Sequence, residues 1–273
     1  PIFSIDIPSG ISANTGNILG TAIKACETIT FAFPKIGHYQ YPGKKNTGNL
    51  HIVDIGIPHF LLGDHVQIYS EAQRPNLPLS YQSIFDAHKG QKGHLLVWAG
   101  SLEKPGAAHL ACRSAFRTGA GLVSLLAELC PSEISGLSLQ KDHEVMLQFF
   151  QPNNNFIDIS TWLEKKSCMI IGPGLSDNEQ NVTRMKNIFS HSQVPMVIDA
   201  TGLDLLKKVF DDNPEILSSR KTNSLVITPH LGEMSRLLRK KISEIQKDRV
   251  GFALDIAKKW HASMLVGRSI PKE

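Results

Sequence analysis

The chain has 273 residues, 41% of them apolar and 20% charged, and 29 Lys and Arg against 25 Asp and Glu leave a net charge of +4. That balance excludes a disordered polyelectrolyte, and basic residues scattered without interleaved aromatics argue against nucleic acid as a partner. No apolar run reaches the roughly 20 residues that span a bilayer, and "PIFSIDIPSG" has no basic region of a signal peptide, so a soluble, cytoplasmic protein is expected. The four cysteines, Cys26, Cys112, Cys130 and Cys168, form no CxxC pair and read as buried thiols in a reducing compartment.

In chain order, residues 1–66 hold short strand patterns, "IFSIDI", "TITFAF" and "LHIVDIGI", joined by Gly, Pro and Asn turns, with a helical turn expected only after Gly20. The polar, proline-containing "YSEAQRPNLPLSYQS" reads as a linker, placed at 67–84. From "GHLLVWAG" onward, strands alternate with helices. The strands are "LLVW", "LVSLLA", "CMII", "MVI" and "LVI"; the helices are "GAAHLACRSAFRTGAG", "NVTRMKNIFSH", "LDLLKKVF", "GEMSRLLRK" and "DRVGFALDIAKKW". Such alternation predicts a parallel sheet covered on both faces by helices. The chain enters a strand pattern at its second residue, and "SMLVGRSIPKE" stops just after another, so the sequence reads as part of a longer chain.

Ligands of such sheets gather at the carboxyl ends of the strands. Four consecutive ends carry polar or small residues: "AGSLEKPGAAHL", "GPGLS", "DATGL" and "TPHLGE". In "GPGLS", Gly172 and Gly174 form either a tight turn or a site of close ligand approach. Ala107 and Ala108 in "KPGAAHL" either admit a flat ring or phosphate at a helix start or allow close packing on the sheet. His230, followed by Glu233, is either a ligand contact or a structural residue at a helix start. Asp199 in "VIDATGLDLL" either faces a ligand or holds its turn. No G-x-x-x-x-G-K-[ST] or G-x-S-x-G motif occurs.

Taken together and in this order, "HKGQKGHLLVWAGSLEKPGAAHLACRSAFRTGAGLVSLL", "IIGPGLS", "VIDATGLDLL" and "ITPHLGEMSRLL" resemble the ADP/ATP-dependent NAD(P)H-hydrate dehydratases, a ribokinase-like family. Upstream, "SIDIPSGISANTGN", "ACETITFAFPKIGH" and "TGNLHIVDIGIP" resemble the closing part of a Rossmann-like NAD(P)H-hydrate epimerase domain. The resemblance implies an epimerase remnant over 1–66 and a three-layer α/β/α dehydratase domain over 85–273, incomplete at its C-terminus. It implies repair of hydrated NADH and NADPH: one domain interconverts the R and S hydrates, the other phosphorylates the S form and expels phosphate. The cofactors implied are ADP or ATP, Mg²⁺ and K⁺. The partners are the small-molecule hydrate and further copies of the chain, with no nucleic acid and no membrane.

Carried over by position, the resemblance assigns substrate contacts to Ala107, Gly172, Gly174 (the favoured glycine) and His230. Supporting roles fall to Asp199 and Thr228. In the epimerase part, Asp6 contacts the hydrate and handles its proton, and Ser9 is a K⁺ ligand. The family pattern also has departures here: Val266 stands where a lysine is expected, and Thr201 where an acidic residue is usual. The Gly-Thr-Gly-Asp turn carrying the dehydratase base is absent from the 273 residues. Negligible dehydratase activity is therefore expected of this polypeptide alone. Two rival readings are a ribokinase-like kinase for a vitamin precursor or sugar, against which "DIPSG" argues, and a decayed protein that retains only nucleotide binding.

Overall fold

The computed structural model describes residues 1–58, 61, 88–128, 144–149, 162–217 and 224–265. The chain divides into two compact units, residues 1–79 with 246–250, and residues 80–245 with 251–273. The expected linker at 67–84 and Val266 lie outside the described residues.

The smaller unit contains a three-stranded parallel sheet in the order β1 (Phe3–Ile5), β2 (Glu27–Phe31), β3 (Asn49–Val53). β1 is shorter than the apolar pattern suggested because Asp6 turns the backbone to φ 65°, while its N–H still donates to the Ile29 carbonyl at 2.7 Å. The helical turn expected after Gly20 does not form. Residues there run extended, with Leu19 N–H donating to Gly10 and Ile23 N–H to Ser9, so the backbone groups a helix would use are already paired. A short helix instead follows Pro42, α1 (Gly43–Thr47). Cys26, expected buried, is exposed; Cys112 is buried and Cys168 partly so.

The larger unit is built on a seven-stranded sheet, β4 (His94–Trp98), β5 (Leu122–Ala127), β6 (Met146–Phe149), β7 (Cys168–Ile171), β8 (Met196–Ile198), β9 (Leu225–Ile227) and β10 (Ser263–Met264). The spatial order is β10-β9-β8-β7-β4-β5-β6 and every pair is parallel. The principal helices are α2 (Pro105–Arg117), α3 (Glu179–His191), α4 (Thr201–Asp212), α5 (Leu231–Leu238) and α7 (Arg249–Lys259), with the single turn α6 (Ile242–Ile245) between the last two. Sequence periodicity missed β6, a short edge strand whose Met146 is 40% exposed, and α6, too short to show a helical stripe.

β4 reads "HLLVW" without alternation because both of its faces are covered. Leu96 and Trp98 join one core with Met169, Ile171, Phe189, Leu206 and Met234, whereas Val97 joins another with Ala108, Cys112, Val123 and Leu125. One helical layer, α2, lies on the second face and α3, α4 and α5 on the first, which makes the unit a three-layer α/β/α sandwich. α4 shows the pattern that produces it: Leu203, Leu206 and Phe210, with Leu205 and Val209, recur at helical spacing and are all buried.

Each unit holds a histidine drawn out of solvent, His38 fully and His94 in part, and the two set a shared acid limit. His38 is 2% exposed and burial pushes its imidazole below the ordinary value of 6.5; burial, then the charge of Lys166, does the same to His94 beside Ser124. A lowered imidazole pKa means that the unfolded chain binds the proton first. Stability from these groups is therefore complete above about pH 6.5 and is lost as pH falls toward their folded values. Urea unfolding midpoints at constant ionic strength are expected to fall below pH 6.5, and less so in His94→Gln; a flat profile from 7 to 5 counts against it.

Candidate functional site

The chain runs from β4 outward to β5 and β6, then returns to the other side of β4 for β7, β8, β9 and β10. The reversal lies between β4 and β7, where the segments leaving the two strands diverge and open sheets bind ligands. Two backbone bonds fasten these exits: Gly172 N–H donates to Trp98 at 3.1 Å and Gly100 N–H to Pro173 at 2.8 Å.

The two glycines of "GPGLS" differ in what fills their missing side chains. A Cβ on Gly172, φ 123°, would stand 1.8 Å from the Asp199 carbonyl oxygen and 2.6 Å from Gly202 N, so α4 and the end of β8 occupy its place. A Cβ on Gly174, φ 73°, would stand 2.7 Å from the Lys104 carbonyl oxygen and 3.1 Å from the Ala107 Cβ. Gly172 therefore closes the turn against the protein, and Gly174 sits over the first turn of α2 beside Ala107. The small residues of α2 divide similarly: Ala108 is 1% exposed and packs under Gly100, whereas Ala107 is half-buried at the rim.

Asp199 holds its turn. Its carboxylate Oδ1 accepts from Thr228 Oγ1 at 2.8 Å, tying the ends of β8 and β9, and its carbonyl accepts Gly202 N–H at 3.0 Å. Ala200 follows at φ 49°, a conformation sparsely populated by non-glycine residues. Thr201 then begins α4.

His230 is the N-cap of α5. Its Nδ1 accepts from Gly232 N–H at 3.0 Å and Glu233 N–H at 3.4 Å, and Glu233 Oε2 accepts His230 N–H at 2.9 Å. Because Nδ1 is an acceptor, the ring proton is on Nε2, 3.1 Å from Glu233 Oε1. The side chain is nevertheless 67% exposed, so the same ring closes the helix and presents a face at the rim. His230→Ala is expected to cost ~1 kcal/mol through lost capping. His230→Ser keeps a capping oxygen and is expected to retain most of that stability in urea titration, which separates the cap from any ligand contact.

A buried polar network beneath the "GPGLS" turn escaped the sequence reading. Asn181, fully buried in α3, donates Nδ2 to Glu128 Oε1 and to the Ser176 carbonyl at 2.8 Å, and accepts from Arg184 Nη1 at 2.8 Å. Glu128, just after β5, also accepts Ser176 N–H at 3.3 Å. These residues anchor the far end of the turn that carries Gly174. An apolar stretch ending "LAEL" and an asparagine in a helix give no sign of partnership in sequence, since they are 53 residues apart.

In the smaller unit, Asp6 is the centre of a second cluster. Its Oδ1 accepts from Thr30 Oγ1 at 2.9 Å and from Lys35 Nζ, while Lys35 Nζ also donates to Thr30 Oγ1 at 2.9 Å. The bond from Lys35, opposed by partial burial, holds the Asp6 carboxyl below the usual range. His38 donates Nε2–H to the Asp6 carbonyl at 2.9 Å and accepts Lys35 N–H at Nδ1, 3.0 Å, which fixes its tautomer and ties both backbones together. Ser9 is exposed and its carbonyl accepts Ile23 N–H. No group of three or more His, Cys, Asp or Glu side chains able to hold a metal occurs among the described residues. No described helix is long and apolar enough to cross a membrane.

A three-layer unit with an all-parallel sheet, and with glycine turns against a helix start at its β4/β7 reversal, has the ribokinase-like α/β fold. Crystal structures with the same fold include a ribokinase-like superfamily protein from Enterococcus faecalis (17% identity, TM-score 0.54, covering 75% of this chain and 69% of that one). Another is an ADP/ATP-dependent NAD(P)H-hydrate dehydratase from Bacillus subtilis, co-crystallised with ATP/Mg²⁺ (24% identity, TM-score 0.51, 67% and 60% covered). Residues 95–269 match the family model of NAD(P)H-hydrate dehydratase, and the chain belongs to that family. Residues 1–37 match the model of the YjeF-related protein N-terminus. Bifunctional NAD(P)H-hydrate repair enzymes of Moorella thermoacetica and Escherichia coli are 34% and 32% identical, over 96% and 95% of this chain. The chain spans about half the length of these relatives, 50% and 47%.

Proposed function

We propose that the protein carrying this chain repairs hydrated NAD(P)H: the larger unit takes part in nucleoside-phosphate-dependent dehydration of the S hydrate, and the smaller in interconversion of the R and S hydrates. The observation that carries the reading is the close packing of Gly174 on the first turn of α2 beside half-buried Ala107, which brings a glycine turn and a helix start together at the β4/β7 reversal. Ala107, Gly174 and the exposed ring of His230 are the substrate contacts. Asp199 and Thr228 support them by joining β8 to β9.

Phosphorylation of the hydrate hydroxyl converts a poor leaving group into a good one, and its loss restores the double bond. Enzymes of this kind supply positioning and charge neutralisation. Mg²⁺ fits as an ion brought by the nucleotide phosphates, whose charge it neutralises, with Asp199 the carboxylate that would face it. For K⁺, Ser9 offers one exposed hydroxyl among the described residues. The setting proposed is the cytoplasm, where the NAD(P)H pool is, with a homo-oligomeric protein.

Calorimetric titration of this chain with (S)-NADPH hydrate tests the reading at the level of binding. Saturable binding that Ala107→Gln and His230→Ser weaken, with both variants folded by urea titration, supports it. Equal binding by the Ala107→Gln protein, or tighter binding of a sugar or vitamin precursor, overturns it.

A further inference from the structure

The cluster around Asp6 holds more than the reading above uses. Asp6 lies just after β1, Thr30 lies in β2 and Lys35 just beyond it, so all three groups meet at the carboxyl end of adjacent parallel strands, where α/β sheets hold ligands. The contacts form together and leave little hydrogen-bonding capacity over. Thr30 gives its hydroxyl proton to Asp6 and receives one from Lys35. Asp6, held ionised by Lys35, only accepts. His38 has both ring nitrogens engaged and is 2% exposed. Lys35 alone keeps a donor: its ammonium has three hydrogens, two of which go to Asp6 and Thr30, and its side chain is 29% exposed.

The hydrated carbon bears a hydroxyl and is bonded to the ring nitrogen. Inverting it with the ring intact breaks the carbon–oxygen bond, and hydroxide leaves poorly unless it takes a proton. We propose that Lys35 is the proton donor of R/S interconversion, giving its remaining ammonium hydrogen to the departing hydroxyl; this rests on the epimerase reading of the smaller unit. As the C–O bond breaks, the nitrogen lone pair forms a C=N⁺ bond, water leaves and Lys35 becomes a neutral amine. The Asp6 carboxylate lies beside the cationic ring and opposes its charge. Water then adds to the opposite face, its oxygen forms the new C–O bond, the C=N⁺ pair returns to nitrogen, and the surplus proton returns to Lys35. His38 is a positioning residue, because it fixes the backbone of both Asp6 and Lys35.

The test uses the complete protein and the pure R hydrate, with appearance of the S form followed by chiral chromatography. Urea unfolding profiles that match the wild type report that each variant is folded, and ATP-dependent dehydration of the pure S hydrate, a reaction of the other unit, reports that the rest of the protein is intact. Lys35→Met is expected to slow interconversion at least about a hundredfold, with added methylammonium restoring part of the rate. Lys35→Arg is expected to be as slow, because a guanidinium keeps the charge beside Asp6 but does not release a proton. Wild-type catalysis with Lys35→Met within threefold of it, or with full activity in Lys35→Arg, overturns the donor role and leaves the epimerase reading standing. Interconversion by the wild-type protein no faster than in buffer overturns both.

Discussion

Gly172→Ala is expected to unfold much of the larger unit's stability margin, by about 3 kcal/mol or more. Two effects act at once. The backbone there is at φ 123°, which side-chain-bearing residues rarely adopt, and the new Cβ would lie 1.8 Å from the Asp199 carbonyl oxygen. Neither neighbour can retreat cheaply. The contacting atoms are backbone, the Asp199 carbonyl already accepts Gly202 N–H, and Gly172 N–H is bonded to Trp98 in the central strand. Urea unfolding monitored by tryptophan fluorescence, with Trp98 directly in the affected contact, measures the loss. A change below about 1 kcal/mol means that the β7 and β8 exits are not packed as described. Gly174→Ala is expected to cost stability too, since φ is 73° and the new Cβ would stand 2.7 Å from the Lys104 carbonyl oxygen.

Asn181→Ala is expected to have the second largest effect. Asn181 is fully buried and serves three partners, Glu128, the Ser176 carbonyl and Arg184, so truncation leaves a carboxylate and a guanidinium short of a hydrogen bond inside the protein. Removing a partner from polar groups of this kind costs roughly 1–3 kcal/mol, more when they are charged. The effect should reach function as well. Ser176 ends the turn that holds Gly174, so the variant is expected to bind the hydrate more weakly under conditions where it is still folded. Asn181→Asp is not a rescue, because it places a second carboxylate against Glu128. Unfolding midpoints and calorimetric affinity together decide: unchanged affinity in a destabilised but folded protein would confine the network to stability.

The alternation of apolar strands with amphipathic helices was sufficient to read the α/β/α sandwich, because β4, β7 and α4 bury their apolar residues in the pattern that such positions impose. The sequence was silent where pairing is nonlocal. Glu128 and Asn181 meet across 53 residues, and Lys35 reaches Asp6 across 29, so nothing near either residue marks the contact. Local chemistry misled in two places. Gly20 and its neighbours looked helical, but Ser9 and Gly10 hold them extended. His230 was left between ligand and scaffold, and the geometry gives it both a cap and an exposed face, a combination no spacing rule can show. Asp199, the end of an apolar strand, is bonded by Thr228, 29 residues away, which no local pattern marks.

The most direct measurement of the central claim is the return of NADH absorbance from pure (S)-NADH hydrate on addition of ATP or ADP with Mg²⁺, catalysed by the complete protein. The account predicts recovery that depends on the nucleotide and is reduced in Ala107→Gln and in His230→Ser while both variants remain folded. Recovery unaffected by Ala107→Gln, or phosphorylation of a sugar or vitamin precursor with no recovery of NADH, would contradict it.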